Sequence, residues 1–149
     1  LYGDLEEYKS AVNRVGLADN ILFLPPVPFA EVPAHIALSK VGLILFQPGP
    51  LNHTLAMPHK LFDYMREAVP VVAPDFALEV SRIVREADCG LLVDVTSPEA
   101  IAGAVACLLR EPGDAARLGE NGRRIIEEKY HWQHEEKVLL DAFSRLEQD

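Results

Sequence analysis

Cysteine is nearly absent from this chain. Two residues in 149, Cys89 and Cys107, are too few for a disulfide framework or a zinc cluster. Both read as small buried hydrophobes. Basic side chains are also scarce, 14 Lys and Arg against 23 Asp and Glu, for a net charge of −9. That balance excludes general nucleic-acid binding, which needs a basic face. No apolar run approaches the roughly 20 residues of a membrane span, and the first residues show no signal-peptide pattern. Gly-x-Gly-x-x-Gly occurs nowhere, which removes the main support for a nicotinamide or flavin site. The expectation is a soluble domain of a reducing, cytoplasmic compartment.

What the chain does have is globular in proportion: 49% hydrophobic and 25% charged residues. A length of 149 is one ordinary domain, able to bury roughly 70% of its unfolded surface. The charge is uneven. Residues 1–39 carry two basic against five acidic side chains, and residues 75–149 carry nine against sixteen. Residues 40–74 have three against two, a net +1, together with His53, His59 and five of the eleven Pro. This non-acidic stretch points towards an anion site, although acids falling elsewhere on the surface would give the same count.

Short apolar runs alternate with amphipathic stretches. Residues 20–25, 41–46, 69–74 and 90–95 are nearly continuous apolar runs, as strands covered on both faces require. Helices are expected between them. Leu5, Tyr8, Val12 and Val15 share one face, residues 29–38 follow a Pro turn, residues 60–67 follow Pro58, and residues 77–87 carry a 3.6-residue period. Strand, helix, strand, helix with short links means βαβ units and a parallel sheet. Beyond Val95 only helices are expected. Ser97, Pro98 and Glu99 open the first, with Ile101, Val105, Leu108 and Leu109 inward. Asp114 is expected to cap the second, to about Glu128, and a last helix runs from about Gln133 to Leu146. The chain opens on LYGDLEEY, in which only Leu1 and Tyr2 could be strand. It therefore reads as a fragment lacking most of its first strand and whatever precedes it.

The segment QPGPLNHTLAMPHKLFDYM, residues 47–65, follows an apolar strand and so lies at the carboxyl edge of the sheet. Open α/β sheets bind ligands at that edge. Pro58 as the first helical residue fixes a helix start whose free N–H groups and dipole favour an anion. Lys60 adds a positive charge in the first turn, and Asp63 could accept hydrogen bonds from hydroxyls one turn on. Phosphate at the helix tip and a diol on the acid describe a nucleoside diphosphate. A solvated loop before an ordinary amphipathic helix has the same pattern.

The string PHKLFDYMREAVPVVAPDF resembles the signature of the donor-binding, C-terminal domain of GT-B glycosyltransferases of family 4 (group 1), which reads Pro-Asn-Lys-Leu-Phe-Glu-Tyr-Met and then Pro-Val-Val-Ala. CGLLVDVTSPEAIAGAVACLLREP, ARLGENGRRIIEEKYHW and, upstream, YGDLEEYKSAVNRVGLADNILFLPPVP are similar to successive family segments, so the resemblance runs collinearly through essentially all 149 residues. It implies an α/β fold, a Rossmann-like doubly wound parallel sheet forming the C-terminal half of a GT-B fold, with a helical C-terminal end. It also implies transfer of a sugar from a UDP-, GDP- or ADP-sugar to an acceptor hydroxyl, with retention and no obligatory metal, in glycan, polysaccharide or glycolipid biosynthesis.

By position, the family's acid corresponds to Asp63, which would bind the ribose hydroxyls with a reach one methylene shorter than Glu. Thr54, Leu55, Ala56 and Met57 would present backbone N–H groups to diphosphate and sugar, with Pro58, His59 and Lys60 contributing. The base would pack near Pro26 and Val27. Gly3 matches a Gly-rich turn beside the donor, where the family's second Gly is Leu5. An acid often found eight positions before the ribose-binding one is absent, since Leu55 stands there. The family's catalytic histidine, acceptor site and diphosphate-clamping Arg and Lys belong to regions this chain does not contain. The chain alone is thus expected to be inactive, its partners being the donor and its own N-terminal domain, with peripheral association at the inner membrane face open to the full-length protein.

Other residues carry no such implication. His35, His131 and His134 lack metal-ligand spacing. Tyr130 and Trp132 are expected to staple the last helix, and Glu127, Glu128, Glu135 and Glu136 look like solvated faces. A non-catalytic nucleotide-binding or interaction domain with the same fold is the alternative function. A phospho-receiver domain ranks below both, because the strands do not end in an acidic cluster.

Overall fold

The computed structural model describes residues 4–146, the side chains of residues 133–135 excepted. Its centre is a parallel sheet of three strands in the order β1 (Gly42–Leu43), β2 (Val71–Pro74), β3 (Gly90–Val93). Residues α1 (Leu5–Arg14), α2 (Val32–Ala37), α3 (Leu51–Thr54), α4 (His59–Arg66), α5 (Leu78–Ala87), α6 (Pro98–Arg110), α7 (Pro112–Glu128) and α8 (Trp132–Leu146) form the helices. The expected α/β architecture with a helical C-terminal end is what the chain adopts.

Alternation along β2 divides the interior in two. Val71 and Ala73 face Ile44, Leu61, Met65, Val80, Ile83 and Val84, so α4 and α5 cover that side. Val72 faces Leu108 and Leu118, with Leu91, Val93 and Val105 packed around them. All of β2 is buried, which is why its sequence is unbroken Val-Val-Ala-Pro. Helix α7 runs past the amino edge of the sheet and feeds both cores, Leu118 into one and Ile126 into the other. Close approach requires its glycines. A Cβ on Gly119 would lie 2.0 Å from the Ala68 carbonyl oxygen, and one on Gly122 would lie 3.2 Å from Cys89. Ala68 itself closes α4 with φ at +53°, a left-handed conformation usually left to glycine.

Several expectations change. Residues 20–25 form no strand: Ala18–Asn20 is a 3-10 turn and residues 21–28 are irregular. Leu22 and Leu24 are 80% and 61% exposed. A strand exists only through a hydrogen-bonded neighbour, and among the described residues none lies beside this segment. Leu1 and Tyr2, the remnant strand, lie outside the described residues. Pro58 occupies the cap of α4 with extended backbone, so His59 is the first helical residue. Ser97 caps α6 as expected, accepting from Ala100 N–H at 3.1 Å. Asp114 does not cap α7; Pro112 is its first residue and Asp114 lies in its first turn. Val15 and Leu109 point outward, as does Cys107, leaving Cys89 as the buried thiol. Helix α8 begins at Trp132, which is 67% exposed, whereas Tyr130 packs edge-on against Phe62 at 5.6 Å. Among the described residues no helix is long and apolar enough to cross a membrane.

Candidate functional site

Three strands running in parallel deliver residues 46–58, 75–77 and 94–97 to one edge of the sheet. The longest of these loops follows β1. It turns at Gly49, whose φ of +153° suits glycine, makes the single turn of α3, and enters α4 at Pro58. Its start is fastened at several points. The Gln47 side-chain N–H group donates to the Leu45 carbonyl at 3.2 Å and to the Val95 carbonyl at 3.0 Å. His53 Nδ1 lies 2.7 Å from the Gln47 carbonyl, so that nitrogen carries the proton and donates. The His53 ring also stands edge-on to Phe46 at 5.6 Å, and Phe46 to Phe76 at 5.8 Å.

The loop ends in an open helix start. Pro58 has no side-chain acceptor for the first-turn N–H groups of α4, and the Leu61 N–H turns back to the Pro58 carbonyl at 3.1 Å. Leu61 and Met65 are fully buried, which turns the faces bearing His59, Lys60 and Asp63 away from the core. Among the described residues, no carboxylate lies within ion-pair distance of Lys60, and neighbouring atoms shield its ammonium enough to hold its pKa below the ordinary lysine value. Desolvation without a counter-charge favours the arrival of an anion.

Asp63 sits one turn further in, its side chain 27% exposed and 3.6 Å from the Arg66 guanidinium. It lines a narrow cleft with Phe29, Val32, Pro33 and Ile36. Adjoining it along α2, Val27 joins Leu24, Pro25, His35 and Tyr64 around a groove of about 260 Å³. Val32 and Ile36 line both. The fold therefore gathers Thr54, Leu55, Ala56, Met57, Pro58, His59 and Lys60 at the carboxyl edge, and places Asp63 and Val27 in two openings that share Val32 and Ile36. Pro26 is exposed and lines neither opening. Gly3 lies outside the described residues. Gln47 and His53 were given no role by sequence; a polar residue directly after an apolar strand was the available signal. Among the described residues no three His, Cys, Asp or Glu side chains are grouped to hold a metal ion.

The fold is that of a GT-B domain. The solved sucrose-phosphate synthase from Thermosynechococcus elongatus superposes with a TM-score of 0.78 at 20% identity, over 95% of this chain and 34% of that one. The family described as Glycosyl transferases group 1 matches residues 2–125, and the chain belongs to that family. It is 28% identical over 141 residues to a GDP-mannose-dependent α-(1-6)-phosphatidylinositol monomannoside mannosyltransferase of Mycolicibacterium smegmatis, covering 94% of this chain and 37% of that protein. A Mycobacterium tuberculosis protein of the same name is 28% identical over 129 residues, 86% of this chain and 33% of its own length. The chain thus spans about a third of the length of the curated relatives it matches.

Proposed function

We propose that this chain is the donor-binding part of a retaining glycosyltransferase that moves a sugar from a nucleoside-diphosphate sugar to an acceptor hydroxyl. The observation that carries the proposal is the open start of α4, with no side-chain cap from Pro58, a Lys60 that is unpaired among the described residues, and Asp63 on its accessible side. The diphosphate sits against backbone N–H groups between Thr54 and Lys60, Pro58 having none and that of Leu55 being given to the Leu51 carbonyl. There the helix dipole contributes about 0.3–1 kcal/mol for an exposed anion and more where water is excluded. Lys60 supplies a counter-charge to the leaving group. As the glycosidic bond breaks, negative charge grows on the diphosphate, and fixed donors already aimed at it lower the barrier. Asp63 accepts hydrogen bonds from the ribose hydroxyls, and the base lies along the groove beside Val27.

No step in this scheme requires a metal from this chain. The acceptor, and the groups that activate it, come from another part of the protein. The named dependence of the mycobacterial relatives on GDP-mannose makes GDP the first nucleotide to test, ahead of UDP and ADP. Their named acceptor is a phosphatidylinositol mannoside, which suits a cytoplasmic protein working at the inner membrane face and a role in glycolipid or polysaccharide synthesis.

Calorimetric titration with GDP, UDP and ADP tests the proposal. Binding of one of them with micromolar to millimolar affinity supports it; no binding by any favours a non-catalytic interaction domain. The chain alone is expected not to transfer sugar, and detectable turnover by these 149 residues would overturn that division of labour.

A further inference from the structure

Gln47 lies across the end of the sheet in a way the donor site does not by itself require. It follows β1, yet its side chain reaches the Val95 carbonyl, 48 residues away and beyond the end of β3. With strand order β1-β2-β3, that bond bridges over the carboxyl end of β2. Both partners of the side chain are carbonyl oxygens, at 3.2 and 3.0 Å, so the amide must present its NH2 group to them and both hydrogens are used. The Gln47 main-chain carbonyl then receives His53 Nδ1 at 2.7 Å. Gln47 thus joins the segments that follow β1 and β3 to α3.

We infer that Gln47 and His53 are positioning residues for donor binding, together forming a peg that holds residues 54–58 at the carboxyl edge. The inference rests on the donor-site reading above. Donor contacts in that loop are mostly backbone N–H groups, which no substitution removes but which a loose loop would misdirect. The loop has no strand or long helix of its own; α3 is four residues long. Its hold on the sheet comes from the Gln47 bridge and the His53 bond, beside which the His53, Phe46 and Phe76 rings meet edge to edge. Where a ligand is bound by preformed N–H groups, the ordering of the loop is part of the affinity.

The bond geometry makes the inference specific to particular atoms. His53→Asn places an N–H where Nδ1 stands and keeps the bond to the Gln47 carbonyl. His53→Gln extends its N–H to the Nε2 position and loses it. Gln47→Glu aims a carboxylate at two carbonyl oxygens, and Gln47→Ala leaves them unbonded.

The test is calorimetric titration of the nucleotide that binds the unsubstituted protein, with melting temperature measured in parallel on each variant. Gln47→Ala, Gln47→Glu and His53→Gln are expected to weaken nucleotide binding by about tenfold, as lost preorganisation does, while His53→Asn binds like the parent. The cores are untouched, so melting temperatures stay close to the parent value. Parent-like affinity in Gln47→Ala and His53→Gln would overturn the inference and leave the donor site standing. Equal weakening by His53→Asn and His53→Gln would also overturn it, since it would assign the effect to the ring. Absence of nucleotide binding by the unsubstituted protein refutes the donor-site reading instead.

Discussion

Replacing Asp63 separates a ribose-binding carboxylate from a surface acid more cleanly than any other change. Among the described residues the carboxylate is paired with Arg66 at 3.6 Å, three residues on along the helix. Such a pair contributes at most about 0.5 kcal/mol, so Asp63→Ala should leave folding intact. In the nucleotide complex the same group would accept two hydroxyl hydrogen bonds. A hydrogen bond to a charged group is worth about 1.5–3 kcal/mol, so losing two costs about 3 kcal/mol or more. At 1.4 kcal/mol per factor of ten, that is about a hundredfold in Kd. Asp63→Asn keeps one acceptor oxygen without the charge and should lose about tenfold. Asp63→Glu restores the charge with the longer reach that the family signature carries at this position, and should bind within about threefold of the parent. The assay is calorimetry with the preferred nucleotide, controlled by thermal unfolding. An Asp63→Ala protein that melts normally and binds as tightly as the parent would refute the reasoning, because no ribose could then be resting on that carboxylate.

Other consequences concern the scaffold. Ala68 has φ at +53°, a conformation that costs a non-glycine residue about 1 kcal/mol, so Ala68→Gly should raise stability by about that amount in urea unfolding. Gly119→Ala would drive a methyl into the Ala68 carbonyl and should cost about 2 kcal/mol, read as a lowered urea midpoint. Burial and the neighbouring Asp88 push the Cys89 thiol up to about 12, whereas Cys107 is exposed; at pH 8 a thiol reagent should label Cys107 quickly and Cys89 only on unfolding. Hydrogen bonds from the Thr96 hydroxyl and N–H hold the Asp94 carboxyl below its ordinary value of 3.8. A depressed folded-state value gives stability that is present at neutral pH and lost as pH falls through the carboxyl range. Melting temperature should therefore decline on acidification below about pH 4, and less steeply in Thr96→Val.

The parts of the fold that were legible in sequence are those whose signal is local. Helices α5 and α6 announce themselves by apolar periodicity, α6 also by the Ser97-Pro98 start, and β2 by four consecutive buried residues. Residues 20–25 have as strong a β pattern, but strand formation depends on a neighbour, and neighbours are not written in the segment itself. Pro58 shows how a one-residue shift escapes a pattern: proline suits both the cap and the first helical position, and only its extended backbone assigns it to the cap. Cys107 and Leu109 flank the buried Leu108 on α6, and a stripe only one residue wide near the helix end leaves both outside. In the site, the residues of one contiguous string, 54–63, could be grouped from sequence because the chain itself groups them. The Gln47 bridge could not, since its partner is 48 residues distant.

The glycine contacts of α7 lie at the opposite edge of the sheet from the loop that carries residues 54–58. Leu118 and Ile126 tie the two cores together there, so the parts that make the domain hold and the parts proposed to choose its ligand share almost no residues. A division of that kind is what permits exchange. The segment from Gly49 to Met57 could be replaced by one of different composition, provided that Gln47 still reaches Val95, without asking the interior to repack. Diversification would then run through one surface loop while the other end of the sheet stays as it is.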